Sequence, residues 1–298
     1  ILIDSAQIDL KNVTLNKITV NPTSTITIEN PKFLAEKIVF EYDVLDLLNS
    51  KFIISGADVL APELSLIMQE GGVWSILDYI KNITDKLNLP EYSELLKNGA
   101  VGRNATVRLI DKKFLPKGEL TVTGLDLVIK PYSGSIKDLR LNGNICDEFY
   151  GNYDISGRMD LNAPKLNLKV TAKDLSVSED FLRSIPVLGE KFWNTYKPRG
   201  KVAIDGMLNF DNEGGKKIMT PALKLSFNDM ETTYVDWPIT VSRATGELIF
   251  TDNKINIKDL EGFVFDVGQQ GANVKFNAIL DLGNRAKELD IRISDIVL

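Results

Sequence analysis

The sequence predicts a mainly β protein: a long, curved antiparallel meander sheet shaped as a groove, with a few short helices near residues 74–97 and 178–196. Three observations predict it. Apolar residues recur at every second position in run after run, as in Asn273–Leu282, NVKFNAILDL. That is the period of a strand with one apolar and one polar face. Turn-forming clusters separate the runs at short intervals: Asn142-Gly143-Asn144, Tyr150-Gly151-Asn152, Asn162-Ala163-Pro164, Asp211–Gly215 and Asp252-Asn253. Strands joined this closely pair as antiparallel hairpins. Helical periodicity, by contrast, is confined to a few short stretches.

The elements follow in order. Leu2–Leu10 alternates as a strand, and Val44–Asn49 is a short helical turn. Trp74–Leu87 is the best helix, with Trp74, Leu77, Ile80, Ile83 and Leu87 on one stripe. Pro90 interrupts it, and Glu91–Lys97 continues as a second short helix. Leu120, Val122, Leu125, Leu127 and Ile129 form a strand with a bulge at Gly124. Leu139, Leu141 and Ile145 form the next, broken by Gly143. Tyr153 to Leu161 and Leu166 to Val170 follow. Ser178 starts a helix to Ser184, with Glu179 and Asp180 in its first turn. Pro186 ends it, and Leu188–Tyr196 adds another turn or two. Strands then run through Val202–Phe210, Leu223–Phe227, Leu248–Phe250, Ile255–Leu260, Val274–Leu282 and Leu289–Ile293. Their alternate positions, such as Lys165, Asn167, Lys169, Lys254, Asn256, Lys258, Asp290 and Arg292, form a solvated face.

A loose repeat accompanies the strands: a polar residue, Asp, then an aliphatic one. It stands at Lys137-Asp138-Leu139, Lys173-Asp174-Leu175, Asn228-Asp229-Met230, Lys258-Asp259-Leu260 and Ser294-Asp295-Ile296. These carboxylates are too scattered for a catalytic set. They are expected at strand entries or bulges, and their recurrence supports a repetitive sheet.

Composition narrows the function. The 298 residues suffice for one large domain or two modest ones. The net charge is −6 and no basic stripe is present along the sequence, which argues against nucleic acid. The single Cys146 allows no internal disulfide. Histidine is absent, which removes the commonest general base and metal ligand, and with them Ser-His-Asp, Cys-His and ordinary zinc arrangements. Asp147 and Glu148 are adjacent, so in a strand they point to opposite faces and cannot act as an acid/base pair. Gly268–Gly271 lacks the Lys-Ser/Thr of a phosphate loop and is expected as a hairpin turn. Trp74, Trp193 and Trp237 are expected as core anchors. No catalytic residue, metal or cofactor is expected. No run reaches the roughly 18 apolar residues of a membrane span, and the start is not a signal peptide. The chain begins without Met, and both its ends lie in strand-like sequence, so it is expected to be an interior piece of a longer protein.

Three longer stretches carry a family resemblance. Tyr42–Tyr79 combines a short helix, a Ser-Lys turn, a strand, a second strand at Pro62–Leu66, then Gly72-Val73-Trp74-Ser75 and a helix. It resembles the N-terminal module of the bacterial AsmA-like family, with Ser75 in place of the usual Asn. Leu182–Phe210, with Ile185-Pro186 and then Gly200-Lys201-Val202-Ala203-Ile204-Asp205-Gly206, is similar to a segment common in AsmA- and TamB-like proteins. So is Trp237–Gly262, with Pro238, Val241, Gly246, Leu248, Ile255, Ile257, Leu260 and Gly262. The resemblance implies residues 1–100 as the N-terminal AsmA-like strands and helical insert, and 101–298 as continuing β-groove repeats of one continuous structure. It implies a non-enzymatic, periplasmic cell-envelope protein, anchored in the inner membrane through a segment outside this chain. Its partners would be phospholipid acyl chains on their way toward the outer membrane.

On that reading Val202, Ile204, Leu208, Phe210, Leu223, Leu225, Phe227, Val274, Phe276, Leu280 and Leu282 are the lipid-groove candidates. The alternative is a closed β-sandwich or scaffold for adhesion or envelope assembly. Its apolar face would be covered by a second sheet or by helices, with Trp74–Leu87 as a candidate plug. An enzyme on a β scaffold comes third, since no convincing carboxylate pair stands out.

Overall fold

The computed structural model describes residues 2–20, 33–49, 53–67, 97–110, 119–132, 135–161, 165–184, 189–213, 216–235, 239–251, 254–265, 271–281 and 287–297. The chain is mainly β, and all its described strands belong to one sheet that does not close into a barrel. The strands are β1 (Leu2–Ile8), β2 (Asn12–Val20), β3 (Phe33–Tyr42), β4 (Ile54–Leu60), β5 (Glu63–Ile67), β6 (Gly99–Ile110), β7 (Glu119–Tyr132), β8 (Ser135–Asp147), β9 (Gly151–Asp160), β10 (Lys165–Val177), β11 (Arg199–Glu213), β12 (Lys216–Tyr234), β13 (Ile239–Thr251), β14 (Lys254–Phe265), β15 (Gly271–Asp281) and β16 (Lys287–Val297). From β6 to β16 each strand pairs antiparallel with the next, a meander as the sequence predicts. With neighbours about 4.8 Å apart, the hydrogen-bonded path from β1 to β16 measures roughly 65–70 Å.

The helices are α1 (Val44–Leu48), α2 (Glu179–Ser184) and α3 (Gly189–Tyr196). The two helices near 178–196 stand where expected. Ser178 caps α2, its Oγ accepting the Phe181 N–H at 3.2 Å. The helices expected over 74–97 and the Trp74–Leu87 plug lie outside the described residues.

Two details depart from the sequence expectation. β4 and β5 both pair parallel with β6, as at Gly56 opposite Gly99 and Glu63 opposite Thr106. A parallel pair needs a long return connection, and the chain between Ile67 and Gly99 supplies its length. β8 is also unbroken at Gly143, which stays in register between Leu127 and Ile155.

The Asp repeat has a backbone explanation. Asp174, Asp229 and Asp259 adopt left-handed φ values of 52°, 58° and 49°. Each sits where the strand register shifts, between Ala172 and Leu175, Phe227 and Met230, and Ile257 and Leu260. Aspartate tolerates this conformation better than most residues do, so the repeat marks bulges. Asp295 falls between Ser294 and Val297, where β16 also shifts against β15. Asp138 is the exception: it lies in regular strand and binds Arg158. Asn104 at φ 52° and Gly124 at φ 64° make comparable shifts in β6 and β7, so the bulge expected at Gly124 is present.

The Asp bulges recur on alternate strands from β10 to β16 and crease the sheet, since each adds local twist and bend. Where the crease passes β13, Gly246 has φ 141°, and a Cβ there would stand 2.6 Å from Leu260 Cα. Gly246→Ala therefore combines backbone strain with overlap against a neighbouring strand. It is expected to cost about 2–4 kcal/mol, read as a drop in the urea midpoint. A loss below about 0.5 kcal/mol would show that the crease accommodates a side chain.

Candidate functional site

One face of the sheet is apolar across strand after strand, because the register aligns alternate apolar positions into rows. One row runs Leu127, Gly143, Ile155, Val170, Gly206, Leu223, Phe250, Ile255 and Leu280 from β7 to β15, with Val170 and Ile155 paired directly. A second joins Ile204, Leu225, Leu248, Ile257 and Ala278. Among the described residues of these rows most large side chains are only half-buried. No large side chain of the described residues is fully buried.

The reason is that little covers this face among the described residues. Substantial contacts between elements run almost entirely between hydrogen-bonded neighbours, so the described strands do not fold back on one another as a sandwich. The chain exposes 19165 Å², whereas the size scaling gives roughly 12,600 Å² for a compact protein of this mass. Neighbouring strand backbones also come close beneath the rows. A Cβ on Gly157 would lie 2.4 Å from Asn167 O on the next strand, so glycine lets the backbones approach there.

Among the described residues the cover is the α2–α3 hairpin, between β10 and β11. Phe181, Leu182 and Trp193 pack on Leu175 and Val202, and Tyr150, Tyr153, Val177, Ile204, Leu225 and Phe227 adjoin the cluster. Trp193 is only 5% exposed, as expected of a core anchor. The hairpin is tied down at its end: Thr232 Oγ1 donates to Tyr196 O at 2.7 Å and Val235 N–H to Thr195 O at 2.9 Å. Arg183 knits the two helices through Glu179 at 2.9 Å, Glu190 at 3.3 Å and Asn194 at 3.1 Å. Burial beneath this cover, with the charge of Asp147 and the nearby Tyr150, pushes the Tyr153 phenol up to about 12.

The groove candidates therefore divide. Val202, Ile204, Leu225 and Phe227 lie under or against the helical cover. Leu208 and Leu223 are half-buried on the part of the same face that no other described element covers, as are Val274 and Phe276 on β15. Phe210 is placed by register between Leu166 and Met219, and Leu280 opposite Ile255. Leu282 lies outside the described residues. Sequence reasoning missed Phe250, Ile255 and Ile257 as members of the lining, although their alternation is as strict as that of the chosen positions.

Asp147 closes the β8–β9 turn, accepting Phe149 N–H at 2.8 Å, Tyr150 N–H at 2.9 Å, and Thr123 N–H and Oγ1 at 2.8 and 2.7 Å. Burial pushes its carboxyl up, but these hydrogen bonds together outweigh burial and hold it below the usual range. Among the described residues no group of three or more His, Cys, Asp or Glu could hold a metal ion, and no helix is long and apolar enough to cross a membrane.

The opposite face is polar and largely self-neutralised. Ion pairs join neighbouring strands: Arg103–Asp58 at 3.2 Å, Arg108–Glu63 at 3.5 Å, Lys169–Asp205 at 3.3 Å, Lys224–Glu247 at 2.5 Å and Lys275–Glu261 at 2.6 Å. Exposed pairs of this kind add little stability each, but they favour this face as the solvated one. No family model, no curated protein and no solved structure matches the chain.

Proposed function

We propose that the protein is a segment of a non-enzymatic lipid conduit of the cell envelope, whose apolar face shelters phospholipid acyl chains between two membranes. The observation that carries this is the continuous apolar row from Leu127 to Leu280, whose described large side chains are half-buried and, among the described residues, uncovered beyond the α2–α3 hairpin. A sheet with one apolar face needs something to cover it, and an acyl chain gains about 0.8 kcal/mol per buried methylene there. A lining of aliphatic side chains without a closed pocket suits movement along the face, because no one position holds the chain tightly. The resemblance of Tyr42–Tyr79, Leu182–Phe210 and Trp237–Gly262 to AsmA- and TamB-like proteins supports the periplasmic setting and an inner-membrane anchor outside this chain.

Photocrosslinking amino acids at Leu223, Phe250 and Phe276 test the proposal. Phospholipid is expected to be captured at all three and not at Asn256, which stands on the polar face of β14. Capture of protein alone at the apolar positions would favour a scaffold instead. Crosslinks at Phe227 are expected to be weaker than at Leu223, since Phe227 adjoins the helical cover.

A further inference from the structure

The polar face departs from its ion-paired pattern near the β7–β8 turn. There Lys130, Arg140 and Arg158 stand directly opposite one another on β7, β8 and β9, as Lys130 opposite Arg140 and Arg140 opposite Arg158. All three are exposed. Like charges in directly opposed positions destabilise a sheet, and the chain as a whole carries a net charge of −6. Lys275 is also opposed by Arg292, but Asp259 and Glu261 hold its ammonium at 3.1 and 2.6 Å.

The row is organised as well as charged. Arg158 is committed to Asp138, which takes its Nε at 2.7 Å and also its Nη2. The Arg158 and Arg140 guanidiniums both lie against the Tyr132 ring, 4.4 and 5.1 Å from its centroid. Arg140 and Lys130 make no ion pair among the described residues. Of the other carboxylates near the row, Asp160 sits opposite Asp138 and Lys165, and Glu41 lies over Gly56, beside the Gly99 that the Lys130 stem covers.

We propose that Arg140 and Lys130 form a binding site for a phosphate-bearing anion, with Tyr132 and the Arg158–Asp138 pair positioning the Arg140 guanidinium. The planar fork of Arg140 takes two phosphate oxygens side by side, and Lys130, on the neighbouring strand with backbones about 5 Å apart, can swing its flexible side chain to supply a second charge. The bound anion offsets the repulsion along the row. The site lies on the face opposite the apolar rows, so it does not depend on the lipid-conduit proposal. The phosphate belongs either to a lipid headgroup or to a soluble phosphate.

Thermal unfolding in inorganic phosphate, against chloride at equal ionic strength, is paired with cosedimentation on phosphatidylglycerol and phosphatidylcholine vesicles. The native chain is expected to gain about 2 °C at tenfold saturation with phosphate, or to sediment with the anionic vesicles alone. Either effect should disappear in Arg140→Gln and Lys130→Gln and persist in Lys224→Gln, whose cation is paired elsewhere. In chloride at low ionic strength Lys130→Gln should unfold at a higher temperature than the native chain. Vesicle binding assigns the headgroup as the source, and stabilisation by phosphate without vesicle binding assigns a soluble phosphate. Absence of both effects, or equal loss in Lys224→Gln, overturns the site.

Discussion

Trp193→Ala is expected to destabilise the chain by about 3–5 kcal/mol and to uncover the centre of the apolar face. Trp193 is 5% exposed and shares its cluster with Phe181, Leu182, Leu175 and Val202. Truncating it removes the largest side chain beneath the α2–α3 hairpin. The helices are too short to persist without packing, so their grip on the sheet should fail before the strands separate. Two measurements follow this. Urea unfolding reads the loss of stability. Binding of an apolar dye, or lipid crosslinking at Val202 and Phe227, reads the newly accessible surface and should rise. A loss under about 1 kcal/mol with no gain in dye binding would mean that the hairpin is held by its polar ties at Tyr196 and Thr195, and that the apolar cluster is incidental. The experiment therefore separates a removable cover from a fixed structural cap.

Much of the sheet is legible in the sequence because strand periodicity is a local signal. Val274, Phe276 and Ala278 alternate with Asn273, Lys275 and Asn277, and the pleat alone sends the two sets to opposite faces. The Asp repeat is legible for the same reason, since Asp174, Asp229 and Asp259 mark bulges through their own backbone preference. Other features depend on partners distant in the chain. The parallel pairing of β4 and β5 with β6 leaves no mark in the residues of either strand. The charged row of Lys130, Arg140 and Arg158 is assembled by register from three strands, and no two of its members are neighbours in sequence. A search for basic runs passes over it. Trp74–Leu87, which carries the stronger amphipathic stripe in the sequence, lies outside the described residues. The cover among the described residues comes from 179–196, where two short helices depend on one another and on the sheet rather than on intrinsic propensity.

The choice between an open trough and a packed interior rests on what a charge does there. In a close-packed core, an arginine in place of Leu223 or Phe276 would be buried without a partner, with a cost above about 4 kcal/mol that few domains survive. On an uncovered face the long side chain lies along the apolar surface and carries its guanidinium to water, so the fold should lose far less. The half-burial of both residues favours the second case. Leu223→Arg and Phe276→Arg are therefore expected to remain folded, with a loss below about 2 kcal/mol by denaturation. A passing acyl chain meets a different penalty. Placing it beside the charge costs about 2.5–3.5 kcal/mol, by analogy with arginine at the centre of a bilayer. That corresponds to roughly a hundredfold slower movement. Transfer of labelled phospholipid between donor and acceptor vesicles should fall by that order in either variant and stay unchanged in Asn256→Arg on the polar face. Folded variants with undiminished transfer would remove the apolar rows from the lipid path, and unfolded variants would show that the face is a closed core after all.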